Sequence, residues 1–160
     1  MNIFYLDPDP YVAAQMSCDK HVVKMILESA QMLCTAHREL DDDDVPKNFY
    51  KKAHLNHPST IWTRSAAANY SWLYDHFVGL CYEYTHRYGK IHMSDSKLRD
   101  ALGWLPRNIR TGKFTEPPQC MPEEYKVEGD SITAYRKYYK GDKAYFAKWS
   151  KRDEPKWWNE

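Results

Sequence analysis

The sequence has no apolar run approaching the ~18 residues that a membrane-spanning helix needs. Its first residues, MNIFYLDPDP, lack the basic stretch and apolar stretch of a secretory signal. Only four cysteines occur, at positions 18, 34, 81 and 120, and no two form a C-x-x-C pair. That excludes a disulfide-built scaffold and a zinc ribbon, and fits reduced thiols in a soluble cytoplasmic protein. Repeats and low-complexity tracts are absent, and the net charge of +1 excludes a uniformly basic surface. The expectation is one domain over residues 1–160, monomeric, with no cofactor and no metal.

Aromatic residues, by contrast, are abundant at 15%, with 13 Tyr and 6 Trp. Such rings build a core or offer flat surfaces for stacking. The charge is also uneven. Residues 132–160 carry eight Lys or Arg against four acids, whereas four aspartates stand together at 41–44.

Local signals predict an all-α fold of three or four helices, with a short extended segment over residues 2–6. Asp9 followed by Pro10 is a helix start, and the helical pattern then runs to about Leu40, with a break near Ser17 and Cys18. A solvated turn follows at 41–46. Pro58 and Ser59 open a second long helix that closes at Gly89, and Ser94 caps a shorter one ending at Gly103. Four prolines in 105–129 predict a long irregular loop, and a loop of that length is commonly functional. Asp130 and Ser131 begin a last helix, interrupted or ended at Gly141.

The first long helix carries an unusual polar stripe. At ~100° per residue, His21, Lys24, Glu28, Gln31 and Thr35 fall within about 80° of arc, while aliphatic residues cover the opposite side. One imidazole, one amine and one carboxylate in a narrow stripe perturb each other's protonation, as acid–base sites require. The alternative is a Lys24–Glu28 ion pair at i,i+4, with His21 bound to a backbone carbonyl.

A second cluster, His54, Asn56 and His57, stands just before the second long helix. Phosphate or substrate contact, helix capping and metal ligation are all open there, although the spacing matches no standard metal motif. Arg64 and Asn69 follow on that helix, and Asn69 suits either a ligand or a helix interface. Near the C-terminus, Tyr135, Lys137, Tyr138, Tyr139 and Lys140 interleave rings with cations. Stacking on unpaired bases and neutralisation of phosphates is one reading, and an amphipathic helix with Tyr138, Phe146 and Trp149 packed inwards is the other. Arg107 and Arg110, in the proline-rich loop, extend the same basic surface.

Taken together these features resemble the pyrimidine-dimer DNA glycosylases, called endonuclease V in bacteriophage. In that family a small all-α domain carries Asp-x-His on its first long helix, and a catalytic Glu seven residues after the His. Asp19, His21 and Glu28 reproduce this spacing. The family's Tyr-Lys-Tyr-Tyr-Gly segment is similar to residues 136–141 here, with one residue inserted. His57-Pro58 and Arg87-Tyr88-Gly89 are similar to its cellular branch.

The resemblance implies excision of a damaged or modified pyrimidine from duplex DNA, as in base-excision repair. An N-terminal amine would attack the sugar C1′, and a Glu would assist cleavage and β-elimination. On that reading Glu28 is the acid–base residue and His21 positions substrate or phosphate. An α-amine titrates at ~7.7–8.0, so a useful fraction is free base near neutrality. The chain departs from the family in two places. The family exposes a small Thr after removing its initiator Met, whereas residue 2 here is Asn, so the amine is that of Met1, Lys24 or Lys20, or Glu28 activates water instead. The arginines beside the family's Glu are also missing, with Leu27 and Met32 nearby. Two other readings remain open at this point, a non-catalytic nucleic-acid-binding protein and a histidine-dependent metallohydrolase.

Overall fold

The computed structural model describes residues 1–42 and 44–160, and Asp43 of the expected turn lies outside the described residues. Six α-helices form, and no strand occurs among the described residues: α1 Pro10–Met16, α2 Asp19–Leu40, α3 Pro58–Ser65, α4 Ala67–Tyr88, α5 Met93–Leu102 and α6 Ser131–Tyr138. The expected three or four become six because two long helical patterns are each divided.

The first division falls at Ser17 and Cys18. Asp9 starts α1 by accepting from the N–H groups of Tyr11 and Val12. Ser17 and Cys18 are both extended, and α2 restarts at Asp19. The second division, at Ala66, has no Pro or Gly to announce it. Ala66 is extended (φ −159°, ψ 148°), and long-range bonds hold it so. The Ala67 N–H donates to the Arg110 carbonyl at 2.9 Å, and Asn69 Nδ2 donates to the Trp62 carbonyl that α3 leaves unpaired. Asn69 is thus buried at a helix interface rather than free for a ligand.

Helix α4 lies at the centre, packed against α1, α2, α3 and α5. Gly79 permits its close crossing with α1, since a Cβ there would stand 3.1 Å from Ala14 Cβ and 3.3 Å from the Tyr11 backbone. Gly89 ends α4 in the left-handed region (φ 69°), where its missing Cβ removes the steric cost. A buried ionic group ties the ends of these helices together. Arg87 pairs with Asp19 at 3.0 Å and Glu83 at 3.1 Å, and donates to the Gln15 and Ser17 carbonyls. Arg152 completes it from the C-terminal segment, 2.8 Å from Glu83. Asp19, part of the expected motif, therefore works at a helix junction.

The segment after Leu102 wraps this core and carries a single 3-10 turn, Glu123–Tyr125, before α6. Asp130 caps α6, which passes into a π-turn over Tyr139–Lys143. Residues 3–6 are buried although they join no sheet. Phe4 stacks on His21 with ring centroids 4.0 Å apart, and meets Tyr135 and Tyr139 edge-on. The N-terminal segment is thereby held between α2 and α6.

No helix is long and apolar enough among the described residues to cross a membrane.

Candidate active site

The N-terminal segment runs along the polar stripe of α2. Phe4 covers His21, and three residues earlier Met1 reaches Glu28. The match is geometric: three extended residues span ~10 Å, and the seven helical residues from 21 to 28 rise about as much. Asn2 fixes the segment. Its Oδ1 accepts from the Ile3 N–H at 2.9 Å and from the Tyr135 hydroxyl at 2.7 Å, while its Nδ2 donates to the Cys120 carbonyl at 3.0 Å. The Met1 side chain is only 1% exposed.

The Met1 α-amine consequently lies 3.4 Å from Glu28 Oε1, and the Glu28 side chain is 14% exposed. Lys24 Nζ approaches the other carboxylate oxygen at 3.8 Å but is 67% exposed, so that pair is a weak surface contact. Glu28 and Met1 line a cleft of about 460 Å³ with Val23, Lys24, Leu27, Gln31, His54 and His92. Val23 and Leu27 give it an exposed apolar wall beside the carboxylate.

The two histidines before α3 differ in their roles. His57 caps the helix, with Nδ1 accepting the Ser59 N–H at 3.1 Å. Its imidazole pKa is lowered by burial first, then by the chain's amino group and His54, against an upward pull from Glu28. His57 therefore feels the same charges that meet in the cleft. His54 is exposed and its backbone is left-handed (φ 48°), an uncommon conformation for a bulky residue. Asn56 is exposed beside it.

His21, expected in the cleft with Glu28, packs elsewhere. It is 5% exposed, its Nδ1 is 2.6 Å from the Tyr139 hydroxyl, and Phe4 covers its face. Burial, then Lys143, Lys24 and Lys20, push its pKa down to about 3, so the ring is neutral. Phe4 is the reason: with that ring stacked on it, His21 is shut away from any ligand.

The expected DNA-contacting residues separate into two groups. Tyr135 and Tyr139 are enclosed, engaged with Asn2 and His21, and cannot stack on bases. Arg64 is turned inwards to the Leu55 carbonyl at 2.9 Å. Lys137 and Arg110 are exposed. Lys140 donates to the Glu160 carbonyl, Arg107 pairs with Asp44, and Tyr138 is half-buried with the Lys143 ammonium 4.7 Å from its ring centroid. Tyr135 and Tyr139 are thus the tyrosines packed inwards, whereas Tyr138 and Phe146 of the amphipathic alternative are half-buried, and Lys137 and Lys140 stay on the surface.

Sequence reasoning missed His92 and left Gln31 on the stripe without a role. His92, not Ser94, caps α5: its Nδ1 accepts the Ser94 N–H at 3.0 Å. The same His-x-Ser pattern occurs at His57-Pro58-Ser59, and that repetition was the available signal.

A terminal amine held beside an enclosed carboxylate, in an open cleft of a helical protein, has the parts for amine-based nucleophilic and acid–base chemistry. Among the described residues no group of three or more His, Cys, Asp or Glu is placed to hold a metal ion. The family model for pyrimidine dimer DNA glycosylase matches residues 1–97, more than half of the chain, and the chain belongs to that family. No curated protein and no solved structure matches it. The matched region contains every residue that lines the cleft.

Proposed function

We propose that this protein is a DNA-repair glycosylase with associated lyase action, which excises a damaged or modified pyrimidine from duplex DNA using the Met1 α-amine and Glu28. The observation that carries the reading is the 3.4 Å approach of that amine to Glu28 at the wall of an open cleft.

The chemistry follows from the pair. Glu28 accepts a proton from the amine, and the free amine attacks C1′ of the target nucleotide. The C1′–N1 bond breaks and its electrons leave with the base. A second amine proton is lost to solvent, Glu28 passes the proton it holds to O4′ as the C1′–O4′ bond opens, and a Schiff base forms with Glu28 again a carboxylate. Removal of a C2′ proton by Glu28 then expels the 3′-phosphate by β-elimination, and hydrolysis returns the amine. Holding the amine beside its base removes the entropic cost of bringing the two together. Lys24 and the exposed Lys137 and Arg110 supply cations for the phosphate backbone.

The test is glycosidic cleavage in duplexes carrying a pyrimidine dimer or single modified pyrimidines, read by mass spectrometry of the free base, which for the dimer is freed by photoreversal of the cyclobutane ring after the reaction. Release from at least one of them is expected. Binding to every duplex without release from any would reduce the protein to a binding module.

A further inference from the structure

Glycosidic cleavage leaves negative charge on the departing pyrimidine, delocalised from N1 onto its carbonyl oxygens. Neither group of the reacting pair is assigned to that charge, because the amine becomes bonded to C1′ and the proton that Glu28 has taken goes to O4′. A hydrogen-bond donor aimed at a carbonyl oxygen stabilises that charge, and it does so best when fixed beforehand.

The cleft holds four further polar side chains, and only one is fixed. Lys24 is mostly in water. Gln31 and His54 have no hydrogen-bonded side-chain partner among the described residues. His92 differs. The Ser94 backbone N–H donates to its Nδ1 at 3.0 Å, so that nitrogen must present a lone pair and the neutral ring carries its proton on Nε2. Tyr84 meets the ring edge-on, with centroids 5.1 Å apart, and limits its rotation. Burial holds the imidazole below its ordinary pKa, against an upward pull from Asp95, which keeps the ring neutral near pH 7. Among the described residues the Nε2–H has no protein partner.

We infer that His92 is a catalytic residue whose Nε2–H donates to a carbonyl oxygen of the leaving pyrimidine. The inference rests on the glycosylase reading above and assigns the site a donor for the base, separate from the amine and carboxylate that act on the sugar. A pinned donor favours pyrimidines that present an oxygen, such as thymine- or uracil-type bases, at the recognised edge.

His92→Ser separates this role from capping. Serine is as good an N-cap as any residue, so α5 keeps its start, but no atom remains at the outer edge of the lost ring. Two single-turnover rates are read: base release from a lesion duplex, and strand cleavage at a preformed abasic site, which has no base to lose. Base release is expected to slow on the order of 10²-fold, the usual cost of deleting one such donor, while abasic cleavage stays within about twofold. Equal loss in both steps would overturn the inference and assign His92 to the phosphate or sugar. No change in either would overturn it in favour of capping alone. His92→Asn, which keeps a capping oxygen, replaces the serine variant if that one fails to fold. Wild-type protein that cleaves abasic sites but releases no base would refute the glycosylase reading itself.

Discussion

The Tyr135 hydroxyl donates to Asn2 Oδ1 at 2.7 Å, joining the sixth helix to the second residue of the chain. The same hydroxyl contacts the Pro118 carbonyl and accepts from the Cys120 N–H at 3.3 Å. One phenol thus gathers three segments around the residue that carries the N-terminal amine to Glu28. Tyr135→Phe keeps the ring but leaves these buried groups short of a partner, at about 1–3 kcal/mol of stability. Schiff-base trapping should slow in this variant while duplex affinity is retained. Urea unfolding and trapping rates measure both effects.

Glu28→Gln preserves shape and removes the base. Its melting temperature and DNA affinity should stay near wild type, whereas single-turnover base release should fall by about 10²–10⁴-fold, the usual contribution of a positioned acid–base group. Unchanged release would remove Glu28 from the mechanism.

Much of this arrangement is legible before any coordinates. Asp9-Pro10 marks the start of α1, Ser17 the first break and Gly89 the end of α4, and Glu28 stands on the face of α2 that lines the cleft. Helical angles alone could not separate His21 from Glu28, because they ignore height along the axis and the segment that covers one but not the other. The break at Ala66 was invisible for a related reason. It is held by Asn69 and the Arg110 carbonyl, partners that only the fold brings close. The tyrosines near the C-terminus read as a stacking surface because local sequence does not reveal that the Tyr135 hydroxyl meets Asn2 and the Tyr139 hydroxyl meets His21.

Acid should destabilise the protein through its buried histidines. His21 and His76 have pKa values lowered by burial, to about 3 and about 4. The unfolded chain takes up their protons below its ordinary value of ~6.5, whereas the folded chain does not. Stability is therefore complete above that pH and is lost as pH falls towards the folded values. At pH 5 each ring costs about 2 kcal/mol relative to pH 7. Urea midpoints at the two pH values measure the difference, and His21→Gln should remove roughly half of it.

The Arg87 network is a structural device, and disrupting it should be severe. Arg87→Met leaves Asp19 and Glu83 buried without their shared cation, a change that costs about 3–5 kcal/mol. Denaturant unfolding tests this, with Arg152→Ala, at the more exposed edge, as the milder comparison.

Surface cations should act on affinity and not on chemistry. Lys137→Ala is expected to reduce the slope of log affinity against log salt by about 0.9, the value of one phosphate contact, with the saturating single-turnover rate unchanged. A slope identical to wild type would place Lys137 outside the DNA footprint.

The most direct test of the central claim is borohydride reduction of the protein on a lesion duplex, followed by peptide mass mapping of the covalent adduct. The amine–carboxylate geometry predicts a single adduct on the peptide bearing Met1, at its α-nitrogen. An adduct on Lys24 or Lys20, or efficient base release with no adduct at all, would contradict it.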